Sequence, residues 1–460
     1  MKNKSGSKQH EASFRDSDGF IFEEEGKILR QVNNSYKADY DQLISSGLYK
    51  ELVNNRLLTA HKEISLDHAF SAEAYKILEP LKIDFISYPY EWCFSQLKEA
   101  ALLTLKLQSI ALKFGMSLKD ASAFNIQFVN GEPQLIDILS FELLVPKPWV
   151  AYRQFCQHFL GPLVLMSKID PGLNRLLSIY LDGVPIDLTA KLLPFISKFY
   201  PSIFIHIQLH SLMKEKKSGS KKQIKPGPTF SKRSLTGLID SLTSAIESLK
   251  LPKNNSFWSS YVPSSDSYTP SAFKYKEKII SDFFIQTKAK KVWDLGSNTG
   301  HFSRLVSKLG ADVYSFDADP LSVEKNYQLS LGKNRILQLV LDLTNPSPDL
   351  GWSGKERKSI IERGPADTIL ALALIHHLVI GSNIPLEKVA EFLSGLCCYL
   401  IIEFVPKTDP QVIEMLRLRE DIFVNYNEGG FEKAFGNFFK IIKKTKIRGS
   451  LRSMYLMKTK

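Results

Sequence analysis

Residues 291–300 read KVWDLGSNTG and continue as HFSRLV at 301–306. A short apolar run ends at the acid Asp294, and a turn of small residues with Gly296 and Gly300 leads into a stretch with helical periodicity. Glycine allows tight backbone turns and lets a ligand approach the main chain closely. The pattern therefore predicts a strand, a ligand-binding turn and a helix in direct succession. One buried helix face is predicted from apolar residues at spacings of three and four: Phe302, Leu305, Val306 and Leu309.

A second strand is predicted at 311–316, and it ends at Asp317. A strand, a glycine turn, a helix, a strand and an acid roughly 20 residues after the glycines form the plan of a Rossmann-like nucleotide site. The dinucleotide-binding version of this plan reads G-x-G-x-x-G directly after its strand. Here the pattern is D-x-G-x-N-x-G, which differs from it.

The D-x-G-x-N-x-G pattern resembles motif I of the class I S-adenosylmethionine (SAM) dependent methyltransferases, D/E-x-G-x-G-x-G. The resemblance covers about residues 265–460, and Asn298 stands in place of the middle glycine. It implies that SAM is the cofactor and that the sheet of this domain has seven strands. The residues that it assigns to cofactor binding are Asp294, Gly296, Asn298, Gly300, Asp317 and Asp342.

Each acid has a separate implied role in this family. Asp294 and the glycine turn would hold the methionine moiety, and Asp317 would bind the two ribose hydroxyls, which match the two oxygens of a carboxylate. Asp342 closes the predicted third strand, where the family contacts the adenine amino group. The alternative for each acid is a purely structural role, in which its side chain caps the end of the strand.

Residues 367–377 read DTILALALIHH and resemble the fourth-strand motif of the same family, which commonly runs on into a histidine pair. A histidine at this position can act as a general base, because its ordinary pKa lies near working pH. Two adjacent histidines on a strand or turn are expected to point in opposite directions, so at most one of His376 and His377 is expected to be catalytic. A purely structural histidine is the alternative, and Glu403 is a second candidate polar wall.

Other features of this half are less specific. Metal-ligand spacing around the histidines is absent, so no metal is expected. Tyr261, Tyr268 and Phe273 either cover the cofactor or serve packing alone.

The composition is that of a globular protein of two or three domains, with 460 residues, 44% hydrophobic and 23% charged. The formal net charge is +12. Whether this charge indicates a nucleic-acid partner depends on where the basic residues lie. Residues 214–233 contain eight basic residues and one acid, a balance of 8 − 1 = +7. This glycine- and proline-containing stretch is read as a solvated linker, with a nucleic-acid arm as the alternative.

The chain is expected to be cytoplasmic. The four cysteines, Cys93, Cys156, Cys397 and Cys398, lack metal spacing and are expected to be buried thiols in a reducing compartment. The first twenty residues are polar rather than signal-like. The most apolar stretch, 192–209, is interrupted by prolines and a lysine, so no membrane span is expected.

The first half of the chain is predicted to be α+β. A hairpin is predicted around 23–26, a helix at 40–54 that breaks near Gly47, a strand at 83–89 and a long helix at 94–114.

The next segment has the pattern D-x4-N followed by a hairpin and a further acid, formed by Asp120, Asn125 and Asp137. It resembles the catalytic and metal loops of the protein-kinase and aminoglycoside-phosphotransferase folds. The resemblance implies that Asp120 positions a hydroxyl nucleophile and that the other two residues hold Mg²⁺. Leu118 and Lys119 stand where that family has its histidine motif, and no glycine-rich phosphate loop precedes it. A degenerate domain that captures substrate, and ordinary Asx turns, are the alternatives.

Together these features predict an α/β protein in which a Rossmann-like seven-stranded methyltransferase domain follows an α+β, kinase-like domain. The boundaries are a disordered tail at 1–17, the first domain at 18–212, a basic linker and bridging helix at 213–256, and the methyltransferase domain at 257–460. The whole chain resembles a group of bacterial two-domain SAM methyltransferases. The expected reaction is methyl transfer to an O or N nucleophile of a small-molecule or protein acceptor.

Three alternatives remain open at this point. The first is a ribosome- or RNA-associated methyltransferase that uses the basic linker. The second is a phosphotransferase or pseudokinase in the first half with a SAM-binding regulatory domain. The third is a scaffold that binds SAM without turnover.

Overall fold

A computed structural model describes residues 7–195, 201–209, 230–252, 268–332, 335–417 and 419–460. The chain divides into two compact units. Unit 1 comprises 1–253 together with 349–357, and unit 2 comprises 254–348 together with 358–460. Among the described residues, no helix has both the length and the apolar character to cross a bilayer.

Unit 1 contains an antiparallel sheet of five strands in the order β1-β2-β3-β5-β4 and two small antiparallel pairs, β6 with β9 and β7 with β8. The strands are β1 (Ser7–Gln9), β2 (Gly19–Glu24), β3 (Lys27–Asn33), β4 (His61–Ile64), β5 (Ala74–Pro80), β6 (Met116–Leu118), β7 (Ile126–Val129), β8 (Glu132–Leu135) and β9 (Phe141–Leu143). The helices are α1 (Lys37–Ser45), α2 (Leu48–Asn54), α3 (Phe94–Lys113), α4 (Tyr152–Phe155), α5 (Gly161–Lys168), α6 (Leu176–Ile179), α7 (Ile186–Leu192), α8 (Pro201–Ile203) and α9 (Lys232–Ser248).

The predicted hairpin is β2 and β3, the predicted helix break falls between α1 and α2 at Gly47, and the long helix is α3. The strand predicted at 83–89 is wrong. Here the backbone of Ser87 pairs with a side chain instead of a strand: its N–H donates to Gln127 Oε1 and its carbonyl accepts from Gln127 Nε2, both at 2.9 Å. Pro89 then starts a short 3-10 turn.

Residues 349–357 follow the third strand of the other half in sequence, yet they belong to unit 1. Within that unit, Arg15 Nη2 lies 2.7 Å from Glu356 Oε1, and the Glu356 side chain is only 4% exposed. The Arg357 guanidinium lies 4.4 Å from the ring centroid of Phe124. The segment is therefore anchored by a shielded ion pair and a cation–π contact.

Unit 2 is built on a seven-stranded sheet in the order β12-β11-β10-β13-β14-β16-β15, as predicted for the methyltransferase domain. Neighbouring strands from β12 to β14 are parallel, and β16 pairs antiparallel with both β14 and β15. The strands are β10 (Lys291–Leu295), β11 (Asp312–Asp317), β12 (Ile336–Val340), β13 (Ala366–Ala371), β14 (Cys397–Phe404), β15 (Phe439–Lys446) and β16 (Ser453–Thr459). The helices are α10 (Pro270–Thr287), α11 (His301–Lys308), α12 (Pro320–Ser330), α13 (Leu386–Ser394), α14 (Pro410–Leu416) and α15 (Glu428–Gly436).

The sequence explains where these elements begin. Proline stands at the first position of α10, α12 and α14, where its missing N–H costs nothing. The side chains of Thr269, Asp319 and Asp409 cap the same three helices by accepting backbone N–H groups. The second half of β14 is almost continuously apolar and buried, as a parallel sheet that is covered on both faces requires.

Two expectations for side chains in unit 2 are wrong. Leu309 was expected on the buried face of α11, but it follows the end of that helix and is 44% exposed. Cys398 was expected to be a buried thiol and is exposed, whereas Cys93, Cys156 and Cys397 are buried. Cys397 and Cys398 are neighbours on β14, so their side chains leave opposite faces of the sheet.

Candidate active site

A cavity of about 440 Å³ in unit 2 lies where β10, β11, β12 and β13 end. Parallel strands bring their carboxyl ends to one edge of the sheet, where open α/β folds bind ligands. The volume lies within the range of small-molecule and cofactor pockets. Of the predicted site residues, those that line the cavity are Asp294, Gly296, Asn298, Asp317, Asp342 and His377. Gly300 and His376 are not part of its lining.

The turn after β10 has left-handed backbone at three positions, with φ of 70° at Gly296, 50° at Asn298 and 73° at Gly300. Asparagine tolerates this conformation better than most residues, which explains how Asn298 can replace a glycine. The Asn298 N–H donates to Asp317 Oδ2 at 2.7 Å. The turn after β10 is thereby fastened to the end of β11.

Gly300 has a packing role. A side chain there would place its Cβ 1.9 Å from Asn326 Oδ1. Asn326 is held in place, because its Oδ1 accepts from Arg304 and its Nδ2 donates to Ser315 Oγ at 2.8 Å. Only glycine lets α11 and α12 approach this closely.

Asp294 lies at the floor of the cavity and is 2% exposed. Its Oδ2 accepts from Ser303 Oγ at 2.5 Å. Burial raises the pKa of the Asp294 carboxyl to about 6, and the nearby Asp317 carboxylate acts in the same direction, while the Ser303 hydrogen bond opposes it.

Asp317 ends β11 and faces the cavity. One oxygen accepts from the Asn298 N–H and the other from the Asp319 N–H at 2.9 Å. Burial raises the pKa of Asp317 to about 6, and these two hydrogen bonds oppose the shift. The Ala318 N–H also donates to this carboxylate, and because a carboxylate has about four acceptor sites, Asp317 can still accept from a ligand hydroxyl.

Asp342 follows the end of β12, and its Oδ1 accepts from the Thr344 N–H at 2.9 Å and from Thr344 Oγ1 at 2.7 Å. Asp342 therefore forms an Asx-type turn with Thr344 and also lines the cavity. A capping role and a ligand role are therefore compatible at this position.

The two histidines follow β13, and their arrangement corrects the expectation that they point in opposite directions. His376 comes just before a short π-helical turn that runs from His377 to Gly381, and the two ring centroids are 4.1 Å apart. The chain is helical here rather than extended, so adjacent side chains are not placed on opposite faces. His377 lines the cavity, whereas His376 is fully buried.

Both histidines are neutral at pH 7. Burial lowers the pKa of His377 to about 4, and the Arg452 charge adds to this shift. Burial also lowers the pKa of His376 well below its ordinary value, with His377 and Arg452 acting in the same direction. The Gln411 side chain opposes this shift by a hydrogen bond to the His376 ring.

Several cavity residues were not predicted as site residues: Lys276, Ser297, Gln411 and Arg452. The sequence does contain a signal for Lys276. This residue occupies an apolar position of α10, in line with Ala272, Ile279 and Phe283. A charged residue on a buried helix face is a signal for a polar site. Gln411 and Arg452 lie far along the chain and only the fold brings them here.

Glu403, the predicted second polar wall, lies behind the cavity surface and is fully buried. It accepts hydrogen bonds from the Tyr268 hydroxyl, from Lys276 Nζ at 2.6 Å and from the Ala373 N–H at 2.8 Å. Arg452 Nη1 lies 3.6 Å from it and also forms a paired contact with Asp409. Burial raises the pKa of Glu403 to about 7, against the opposing Arg452 charge.

Of the three aromatics predicted near the cofactor, Tyr268 lines the cavity. Phe273 packs against the hydrophobic core of unit 2 and stacks on His301, with ring centroids 4.9 Å apart. Tyr261 lies outside the described residues.

In unit 1, the side chains of Asp120 and Asp137 are already engaged. Asp137 accepts from Arg30, from Ser140 Oγ at 3.0 Å and from the Leu139 N–H at 3.2 Å. Asp120 Oδ1 accepts from Gln154 Nε2 at 2.8 Å and from the Ser122 N–H at 2.9 Å. Within the described ranges, no group of three or more His, Cys, Asp or Glu side chains is placed to hold a metal ion. The kinase-like interpretation of this unit stays a prediction.

No protein-family model matches the chain. It is 34% identical over 458 residues to nodulation protein NoeA of Rhizobium meliloti (strain 1021), and the match covers 96% of this chain and 94% of that protein. Among solved structures, magnesium protoporphyrin IX methyltransferase of Synechocystis PCC 6803 with bound SAH has a TM-score of 0.29 and 19% identity, over 41% of this chain and 86% of that chain. The N-methyltransferase NodS of Bradyrhizobium japonicum WM9 has a TM-score of 0.31 and 8% identity, over 42% of this chain and 98% of that chain.

The strand order of unit 2, the acids at the ends of β10, β11 and β12, and the cavity between them carry the assignment of this unit. Its strand order is that of the class I SAM-dependent methyltransferase fold. Since the match with NoeA spans nearly all of both proteins at this level of identity, the chain belongs to the NoeA family.

Proposed function

We propose that this chain transfers a methyl group from SAM to an oxygen or nitrogen nucleophile of a small-molecule or protein acceptor. The observation that carries the proposal is the convergence of Asp294, Asp317, Asp342 and His377 on one cavity of about 440 Å³. The parallel sheet brings these strand ends to one edge, and there the three acids and the histidine all line one cavity.

The donor and acceptor groups of the cavity fit the cofactor. Asp317 takes the ribose hydroxyls, since its carboxylate lines the cavity and retains acceptor capacity. Asp342 accepts from the adenine amino group, and Asp294 faces the methionine end. When bound, SAM supplies a methyl group on a sulfonium whose leaving group is a neutral thioether.

The residues of the chain then have two tasks, to align the acceptor and to remove its proton. We assign the second task to His377, which lines the cavity and is neutral at pH 7 because its pKa is lowered to about 4. His376 is packed against it without reaching the cavity. It therefore supports the orientation of His377 rather than the chemistry.

Calorimetry with S-adenosylhomocysteine (SAH) tests the proposed cofactor site. Asp317→Ala is expected to weaken SAH binding roughly 10- to 100-fold, because hydrogen bonds to a charged group are worth about 1.5–3 kcal/mol. Asp312→Ala is the matched control, since Asp312 lies on the same strand and pairs at its surface with Arg335. Equal SAH affinity in wild type and Asp317→Ala would contradict the proposed site.

The alternatives receive less support. The basic stretch on which an RNA-associated function depends lies mostly outside the described residues. For a phosphotransferase, the acids of unit 1 would have to hold a magnesium nucleotide, and Arg30 already occupies Asp137. A scaffold that only senses SAM is distinguished by turnover: it would bind SAH without forming it from SAM.

A further inference from the structure

Lys276 is a buried cation on the wall of the cavity. It stands at an apolar position of α10 and is 2% exposed as a residue. Burial lowers the pKa of Lys276 well below its ordinary value, whereas the Glu403 carboxylate, whose Oε2 lies 2.6 Å from Nζ, favours the charged form. Burying an amine at such a cost calls for partners that stabilise it.

The partners that the protein supplies are incomplete. An ammonium has three N–H donors, and Lys276 Nζ makes one hydrogen bond to a described residue, to Glu403 Oε2 at 2.6 Å. Its other close neighbours are the ring faces of Tyr268 and Phe302, each with its centroid 4.9 Å from Nζ. Rings attract a cation but accept no conventional hydrogen bond. The remaining donors are thus available to whatever fills the cavity.

Glu403 holds this lysine in place without touching the ligand space. It is fully buried, is not part of the cavity lining, and binds Tyr268, Lys276 and the backbone of Ala373 at once. It therefore fixes one wall of the cavity to the loop after β13.

A second polar group in the same cavity also lacks a partner. Ser297 Oγ is buried without a hydrogen-bond partner in the described part of the chain, and Ser297 lines the cavity beside Asp294 in the turn after β10. Its hydroxyl can donate one hydrogen bond. The amino-acid end of the cavity thus offers unused donors from two separate elements, α10 and the turn.

Asp294 is close enough for its charge to act on Lys276. A carboxylate and an ammonium exposed to one cavity complement a ligand that carries both opposite charges. Within SAM and SAH, the α-carboxylate is the one anionic group and the α-ammonium is its neighbour. We infer that Lys276 binds the α-carboxylate of the cofactor, that Asp294 binds its ammonium, and that Glu403 is the positioning residue for Lys276. This inference rests on the proposed function.

The test is calorimetry with two ligands, SAH and its decarboxylated analogue, which keeps the adenosine, the thioether and the amine. Lys276→Met is expected to weaken SAH binding roughly 10- to 100-fold, the loss of charge-assisted hydrogen bonds. It is expected to leave the affinity for the decarboxylated analogue at the wild-type value. Asp317→Ala, which acts on the adenosine end, weakens both ligands alike.

Lys276→Met leaves Glu403 buried with one cation fewer, so a second variant guards against misfolding. Lys276→Met with Glu403→Gln removes both charges and keeps the side-chain volumes similar. It is expected to show the same selective loss of SAH affinity. Retained binding of the decarboxylated analogue in either variant shows that the cavity is intact.

The outcomes separate the inference from the function on which it rests. Loss of SAH affinity with unchanged affinity for the analogue supports the inference. If both ligands lose affinity equally, or neither does, Lys276 does not bind the carboxylate and the inference is overturned while SAM binding stands. If the wild-type protein binds neither ligand, the proposed function fails and the inference fails with it.

Discussion

Asp294 and Asp317 are two acids whose pKa values burial raises to about 6, so the cofactor site changes charge between pH 7 and pH 5. Both carboxylates are ionised above pH 6 and become protonated below it. A protonated carboxyl cannot accept from two ribose hydroxyls as a carboxylate does. Loss of charge on Asp294 also removes the partner of an ammonium.

We therefore expect SAH affinity to fall as the pH is lowered from 7 to 5, measured by calorimetry in buffers of equal ionic strength. Asp317→Asn is expected to bind SAH more weakly at pH 7 and to show a shallower decline, because one of the two titrating groups is gone. A pH profile of Asp317→Asn that parallels the wild type would show that Asp317 is not responsible.

Substitution of His377 is expected to affect methyl transfer and not cofactor affinity. We expect His377→Asn to lower methyl transfer roughly 10²- to 10⁴-fold, the usual contribution of a general base, and to leave SAH affinity unchanged. The measurement is transfer of labelled methyl from SAM into a cell extract separated into small-molecule and protein fractions, which also locates the acceptor.

Ser382→Ala is the control for this substitution, because Ser382 lines the same cavity and is given no chemical role. Since the pKa of His377 is about 4, the base itself stays neutral down to that pH. Undiminished labelling by His377→Asn would remove the histidine from the chemistry.

At the scale of elements, Gly300 is the position in the turn between β10 and α11 where a side chain would clash most severely. Gly300 has φ of 73°, and a Cβ there meets an Asn326 side chain that its own hydrogen bonds hold in place. Gly332 has the same φ of 73° with nothing within 4 Å of the added atom. A comparison of the same substitution at Gly300 and Gly332 therefore separates the cost of backbone strain from the cost of a steric clash.

Gly332→Ala is expected to cost about 1–2 kcal/mol, the penalty of left-handed backbone. Gly300→Ala carries the same penalty and about 1–3 kcal/mol more for overpacking. The measurement is chemical denaturation, read on the transition that SAH shifts. Equal losses in the two variants would mean that Asn326 moves aside freely.

The elements of unit 2 were predictable because each has a strong local signal. Apolar runs that end in acids indicate β10, β11 and β12, and the glycine turn with its adjoining helix indicates the cofactor edge. The same signals predict Asp294 and Asp317 at this edge of the sheet, where both line the cavity. By contrast, the run at 83–89 looked extended, and a side chain of Gln127 took the place of a strand partner.

The cluster of charged residues formed by Lys276, Glu403 and Arg452 was not predictable in the same way. These residues come from α10, β14 and the residue before β16, and only the pairing of β14 with β16 brings the last two together. The sequence predicts the histidine pair directly after β13, but it does not predict the geometry of the pair, because the chain is helical there.

For the whole molecule, the division into two units predicts separate responses to ligands. SAH is expected to raise the melting temperature of one transition, because a ligand that binds only the folded state stabilises it. Magnesium with ATP is expected to change neither transition, since Arg30 and backbone donors already occupy the Asp137 carboxylate. Differential scanning calorimetry with each ligand in turn measures both effects.

Arg30→Met is the informative variant for this prediction. If unit 1 binds magnesium nucleotide through Asp137, wild type would be stabilised by it and Asp137→Ala would abolish the effect. A nucleotide-induced shift in wild type would therefore revive the phosphotransferase alternative. If magnesium with ATP raises the melting temperature of Arg30→Met but not that of wild type, the Arg30 guanidinium excludes the metal from Asp137.

The membership of residues 349–357 in unit 1 bears on how the chain acquires its structure during synthesis. Glu356 and Arg357 lie more than 200 residues after Phe124, the ring on which Arg357 packs, and more than 300 after Arg15, the partner of Glu356. A nascent chain that has emerged only as far as residue 253 lacks this closing segment. Unit 1 can thus reach its final form only after three strands of the second sheet have left the ribosome, so translation order and folding order differ.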